Sequence, residues 1–287
     1  MAEVYVARDE QSEQRVAVKV LRPELIKERR YLRRFAVEVA ANRRAAGEHL
    51  VGLQDAGLEQ GLPFLVMDWV RGPSLWKWVQ ERGPLEPGLA LSLFRQAALG
   101  LAAMHEQGIF HRDVKPANIL VDLDGSVPVR ARISDLGLAR LASIRGITRT
   151  GAAVGSPAFM APEQVAADEA DARTDVYGWG MSLLYAVTAE LPFEGSTRQV
   201  MLHQLRTKPP PPSWLMDGQG EALDRIVLCA LRKHPDNRYQ SMLDVVEDTE
   251  AAERGAARGV PLRITPDEYV PKRAEARRWL ASASLDR

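Results

Sequence analysis

Hydrophobic spacing in this chain shifts near residue 71 from mostly strand-like to mostly helical, and that shift limits the folds open to it. Before it, the apolar residues mostly alternate. Val4-Tyr5-Val6-Ala7 and Val16-Ala17-Val18-Lys19-Val20 are rich in β-branched residues and are separated by a polar stretch, 9–14. They predict an antiparallel hairpin. From Glu24 the period turns helical, with Leu25, Leu32, Phe35, Val39 and Ala46 on one face and Gly47 as the expected C-terminal cap. Extended runs resume, ending in Phe64-Leu65-Val66-Met67, and Arg71-Gly72-Pro73-Ser74 reads as a linker. Beyond it helices dominate. Pro87 opens one whose Ala90, Phe94, Ala97, Leu101, Met104 and His105 form an inward stripe, with Gly108 just past its end. A short hairpin pairs Ile119-Leu120-Val121 with 129–133, turning near Asp124-Gly125. Later helices begin near Thr174, Glu221 and Gln240, and the proline run 209–212 is a stiff connector between them. The expectation is an α+β, bilobal chain. A small β-rich lobe spans 1–70, a larger helical lobe 71–250, and an Arg-rich appendage 251–287 has no assigned role.

Composition removes several alternatives. Lys+Arg and Asp+Glu both number 38, so no net field recruits nucleic acid or anionic membrane, and nucleic-acid binding is not favoured. The single cysteine, Cys229, cannot form an internal disulfide and is expected to pack as a small apolar residue. The opening Met-Ala-Glu-Val lacks the basic region of a signal peptide. The most apolar stretch, 176–187, is broken by Gly178, Gly180 and Ser182 and falls short of the ~18 residues of a membrane span. A buried central helix and a cytoplasmic location are the expectations.

The chemistry is concentrated in His111-Arg112-Asp113-Val114-Lys115-Pro116-Ala117-Asn118, between a helix end and a hairpin. Phosphoryl transfer needs an acceptor hydroxyl held in line, the phosphate charge neutralised, and hard oxygen ligands for a metal. Asp113 can accept the hydroxyl proton, Lys115 can sit on the transferring phosphate, and the Asn118 amide oxygen can ligate Mg²⁺.

These eight positions resemble the catalytic segment of protein kinases, and the likeness extends from Met1 to about Glu250. Val16-Ala17-Val18-Lys19 is similar to the strand whose lysine pairs the α- and β-phosphates, and Glu38 is placed to meet Lys19 in the family's ion pair. Ser134-Asp135-Leu136-Gly137 stands where the family's Asp-Phe-Gly triplet belongs, so the resemblance assigns Asp135 to the metal, with Leu136 replacing the usual aromatic. Ala161-Pro162-Glu163 resembles the end of the activation segment, and Arg238 the arginine that pairs with its glutamate. Asp175 is expected to cap its helix and brace the catalytic loop through backbone N–H groups. The stretch 64–70 resembles the adenine hinge. Met67 would stand at the back of the pocket, backbone groups of Asp68 and Val70 would pair with the base, and Ala17 and Leu120 would sandwich it.

Lys115 and Gly155-Ser156-Pro157 resemble Ser/Thr rather than Tyr kinases, with the Ser156 hydroxyl bridging Asp113 and Lys115. The resemblance implies ATP with Mg²⁺, or Mn²⁺ in its place, and protein substrates bearing Ser/Thr hydroxyls. It also implies switching by phosphate on Thr148 or Thr150, in a transient homodimer that phosphorylates in trans. Arg112, beside the catalytic carboxylate, would receive that phosphate. One departure matters. Of the family's glycine-rich loop only Met1-Ala2-Glu3-Val4 is present, with Val4 at the last position and Ala2 where the third glycine belongs. Met1 therefore reads as an internal methionine or a truncation, and β-strand edge 4–7 is expected to lack a neighbour. A nucleotide-binding pseudokinase or scaffold is the alternative, against which stand Lys19, Glu38, Asp113, Asn118 and Asp135. A small-molecule phosphotransferase would be expected to lack Ala161-Pro162-Glu163.

Overall fold

In the computed structural model, which describes residues 2–26, 29–135, 157–216 and 220–255, the change of spacing near residue 71 is a change of lobe. Strands β1 (Ala2–Arg8) and β2 (Arg15–Leu21) form the expected hairpin, with Val4 opposite Lys19. Strands β3 (Leu53–Glu59) and β4 (Leu62–Asp68) add to it in the order β1-β2-β4-β3. The inner strand β4 alternates, burying Pro63, Leu65 and Met67, because only one sheet face meets the apolar cluster. Edge strand β1 leaves Val4, Tyr5 and Val6 more than half exposed.

The helix expected from Glu24 is described in two stretches, α1 (Pro23–Ile26) and α2 (Arg29–Arg44), with 27 and 28 outside the described residues. Phe35 and Val39 of α2 pack against the cluster of Leu65 and Met67. Ala45 is buried while Ala46 is exposed, and Gly47 caps nothing. The larger lobe claims this stretch of chain: Ile133 N–H donates to His49 O and Val51 N–H to Ile133 O, both at 2.9 Å. Those bonds require extended backbone and end the helix early.

The expected linker holds a cap. Ser74 accepts from Lys77 N–H and opens α3 (Leu75–Arg82), a helix the sequence reading did not place. Helix α4 (Pro87–His105) buries Ala90, Phe94, Ala97, Leu101 and Met104 completely, and Gly108 follows at φ +71°. Strands β5 (Ile119–Asp124) and β6 (Val127–Ile133) form the second hairpin. Helices α5 (Pro162–Ala166), α6 (Ala172–Thr188), α7 (Thr197–Arg206), α8 (Glu221–Ala230) and α9 (Met242–Glu253) complete the larger lobe. Helix α6 is apolar on all sides and buried from Thr174 to Thr188, the signature of a central helix. Among the described residues, no helix is long and apolar enough to cross a membrane. Helix α9 runs past the expected boundary at 250, and Ala251 is fully buried. Cys229 is half-buried, and burial raises its thiol pKa. Leu136, Gly137, Thr148, Thr150, Ser156 and nearly all of the appendage lie outside the described residues.

One buried cation stands out. Lys233 Nζ lies 5.3 Å and 5.1 Å from the ring centroids of Tyr177 and Phe193 and donates to the Tyr177 hydroxyl at 2.9 Å. Burial, and then the charge of Arg238, pull its pKa down from 10.5 to about 7. Between those values the unfolded chain binds the extra proton, so stability rises with pH across that window; below about 7 the folded state bears the full cost of the buried charge. Lys233→Met is therefore expected to raise the melting temperature at pH 6, with the gain shrinking towards pH 10. Thermal melts of both proteins across that range check it; a difference independent of pH contradicts the assignment.

Candidate active site

The two lobes meet at Lys19. Its Nζ reaches from β2 to Glu38 Oε1 on α2 at 2.7 Å and to Asp135 Oδ1, two residues past β6, at 2.6 Å. Burial works to lower the pKa of Lys19, but the Asp135 and Glu38 carboxylates outweigh it and hold the amine protonated. Burial also works to raise that of Asp135, and the charge of Lys19 outweighs it, so the carboxylate stays ionised. A single cation thus ties the helix of the small lobe to the larger lobe.

Below this bridge the catalytic segment follows α4. His111 is fully buried; its Nε2 donates to Ser134 O at 3.0 Å, while its Nδ1 accepts from Asp113 N–H at 3.2 Å. Burial lowers the pKa of the ring, consistent with the neutral form that pattern requires. Arg112 and Asp135 take left-handed backbone, at φ +61° and +57°, conformations that cost non-glycine residues about 1–3 kcal/mol and persist only when the surroundings impose them. For Arg112 those surroundings are clear. The Asp175 carboxylate accepts from His111 N–H at 2.8 Å, from Arg112 N–H at 2.6 Å and lies 2.8 Å from His105 Nε2. From the other side, Gln164 Nε2 donates to Arg112 O at 2.7 Å while its Oε1 accepts from Ala161 N–H. Asp175 braces the loop but does not cap its helix. That cap is Asp171, which accepts from Arg173 N–H, because the helix begins at Ala172, ahead of the expected Thr174. One turn along, a Cβ on Gly178 would fall 2.7 Å from Val114 O, so glycine is what allows the loop to lie on α6.

On this platform Lys115 Nζ lies 2.9 Å from Asp113 Oδ2, and Asn118 Nδ2 donates to Asp113 O at 2.9 Å. Burial lowers the pKa of Lys115, partly offset by the Asp135 charge. Ser134 N–H donates to Asn118 O, which sets Asp135 next to Asn118. With its Nδ2 engaged, Asn118 retains an amide oxygen, and Asp135 offers a carboxylate. A divalent ion that keeps water and phosphate oxygens takes only one or two such protein ligands, so this donor set fits.

Above the catalytic loop, Val51, Leu65, Met67 and Val70 form a buried cluster against which Ala17 of β2 and Leu120 of β5 pack half-buried. Asp68 N–H is used by Gly52 O, and Val70 O accepts from Gly72 N–H. That leaves the Asp68 carbonyl and the Val70 N–H as the groups to consider for a flat heterocycle. Val4 stands beside Lys19 on the neighbouring strand, 61% exposed.

Glu163 lies in the segment Ala161-Pro162-Glu163 and meets Arg238 through two parallel bonds of 2.8 Å, with Thr174 Oγ1 donating at 2.7 Å. Arg112, by contrast, donates to Ala170 O and lies 5.5 Å from the Phe110 ring centroid, while its buried Nε has no hydrogen-bond partner among the described residues. The sequence reading missed Gln164 and Gln204. The only signal was a glutamine at an inward position, four residues after buried Val200 in the second case.

The sequence model of the protein kinase domain matches residues 1–248. The chain is 36% identical over 277 residues to serine/threonine-protein kinase PknB of Mycobacterium tuberculosis (strain ATCC 25177 / H37Ra), a match covering 93% of this chain and 43% of PknB. It is 36% identical over 249 residues to serine/threonine-protein kinase PknL of Mycobacterium tuberculosis (strain CDC 1551 / Oshkosh), covering 86% of this chain and 61% of PknL. It thus spans less than two thirds of the length of either relative. The crystal structure of the Mycobacterium tuberculosis PknI kinase domain superposes with a TM-score of 0.67 at 24% identity, covering 87% of this chain and 90% of that one, a likeness of fold. With the motif order, the two lobes and the matched residues in agreement, the chain belongs to the protein kinase domain family.

Proposed function

We propose that this chain transfers the γ-phosphate of ATP to serine and threonine hydroxyls of proteins, its own Thr148 or Thr150 among them. The observation that carries this reading is the Lys19 bridge to Glu38 and Asp135, together with the Asp113–Lys115 pair, whose lysine feels the Asp135 charge. Ala17, Met67 and Leu120 would enclose the adenine, with Val4 above, and the Asp68 carbonyl and Val70 N–H would read its edge. Lys19 would exchange Asp135 for the α- and β-phosphates, freeing Asp135 to hold Mg²⁺ or Mn²⁺ with Asn118. The metal supplies charge neutralisation on the phosphate oxygens. Asp113 accepts the proton of the attacking hydroxyl, and Lys115 steadies the transferring phosphate.

Arg112 supports the autophosphorylation part. A phosphate brings about −1.5 to −2 charge and three acceptor oxygens, the partner its buried Nε lacks among the described residues. Ser156 would then be drawn towards Asp113 and Lys115. After incubation with ATP, mass mapping is expected to find phosphate on Thr148 or Thr150 in the parent and none in Asp113→Asn. Replacing both threonines by Ala should lower transfer to an added protein by about tenfold or more, the loss of one strong charge-assisted interaction. Parental activity in the double variant places the switch elsewhere. ATP binding without transfer in any form favours a non-catalytic nucleotide-binding protein.

A further inference from the structure

Gln204 of α7 and Tyr177 of α6 are both fully buried, apart from the Lys19 and Asp113 groups, and buried polar groups are kept only where they are hydrogen-bonded. Their bonds form one directed chain. Lys233 Nζ donates to the Tyr177 hydroxyl at 2.9 Å, and that hydroxyl donates to Gln204 Oε1 at 2.5 Å. Gln204 Nε2 then donates to Ala158 O at 2.7 Å and to Pro157 O at 3.3 Å. The ends fix the direction. Backbone carbonyls that only accept stand at one end, so Gln204 turns its Nε2 to them and its Oε1 to Tyr177, whose hydroxyl then donates and leaves a lone pair for the Lys233 amine at the other end. Burial holds the Tyr177 phenol protonated, above its usual pKa, which keeps its hydrogen available to Gln204.

The chain ends on a single helical turn, Pro157–Phe159. Phe159 and the next residue, Met160, line a small cavity together with Asp113, Val114, Gln164 and Thr174. A shift of the carbonyls at 157 and 158 is therefore a shift of the wall beside the proposed base. We propose that Gln204 is a positioning residue for the acceptor protein: it pins 157–160 at the height where a hydroxyl-bearing segment can run past Asp113. This rests on the kinase reading above. Gln204 acts through Ala158 and Phe159 and lies outside the Lys19 and hinge groups that would hold ATP.

The test compares the parent with Gln204→Met, which keeps length and loses both hydrogen-bonding ends. Initial rates are measured with myelin basic protein as acceptor, alongside ATP hydrolysis without acceptor and amide exchange at 157–160 and 111–118. The expected result is a rise of about tenfold in KM for the acceptor, the equivalent of one buried hydrogen bond, with KM for ATP and acceptor-free hydrolysis changed by less than about twofold. Exchange should quicken at 157–160 and stay parental at 111–118. Parental acceptor KM with parental exchange overturns the proposal, as does an equal rise in KM for ATP and acceptor, which a general loss of structure would give. Should Gln204→Met fail to fold, Tyr177→Phe decides by the same readouts, since it keeps the ring under Arg238 and removes only the hydroxyl. A parent that transfers nothing to the acceptor defeats the kinase reading, while the exchange at 157–160 still decides the pinning.

Discussion

Asp113→Asn is expected to lower phosphate transfer to a protein acceptor by about 10²–10⁴-fold, the range of a positioned general base, with ATP affinity almost unchanged. Asn fills the same volume, so the loop should persist: the Asp113 N–H still donates to His111, and its carbonyl still accepts from Asn118. The substitution removes the proton acceptor and the negative charge that faces Lys115. The effect should therefore fall on turnover rather than on binding. Initial rates of acceptor phosphorylation, with nucleotide affinity measured by calorimetry on the same proteins, separate the two. Equal rates in variant and parent remove Asp113 from the mechanism, and a large loss of ATP affinity would make its role one of nucleotide binding.

The largest effect on stability is expected from Arg238→Met, at about 3–5 kcal/mol, the cost of breaking one partner out of a buried pair. All five guanidinium N–H groups of Arg238 are used: two on Glu163, and the others on the carbonyls of Arg173, Arg232 and Lys233. Its side chain has no exposure. Without it, the Glu163 carboxylate stays buried beside Thr174 with no counter-charge. Burial works to raise the pKa of Glu163, and the hydrogen bond and charge of Arg238 outweigh it, leaving it below its usual 4.5. The pair's contribution is thus present above that value and is lost as pH falls through the lower, folded pKa. The difference between parent and variant should be full at pH 7 and should narrow in acid, where the orphaned Glu163 takes up a proton. Urea titrations at pH 7 and near pH 4 measure it; a loss under about 1 kcal/mol at pH 7 would show that the three carbonyls and Glu163 find water instead.

Much of the site could be read from chain order alone. The strand that carries Lys19, the helix face that turns Glu38 inward and the eight residues around Asp113 each have a local pattern. The 2.7 Å contact of Lys19 with Glu38 needed only two such patterns to be placed correctly. The end of α2 had no such pattern. Ala46 continues the apolar helix face by spacing, but pairing of His49 and Val51 with Ile133, over eighty residues away, draws the chain into extended backbone just beyond it and ends the helix at Arg44. The cap of α6 was misplaced for a related reason. Asp171 and Asp175 are both good capping residues, and Asp175 is engaged by the backbone of His111 and Arg112.

The sequence by itself determined the two-lobe architecture, the family and the identity of the charged groups in the cleft, because hydrophobic period and residue order are local properties. Only the tertiary structure decided what holds those groups in place. Gln164 on Arg112 O and Gln204 on Ala158 O are ordinary polar residues. They become specific because folding removes water from them and brings them partners from distant parts of the chain.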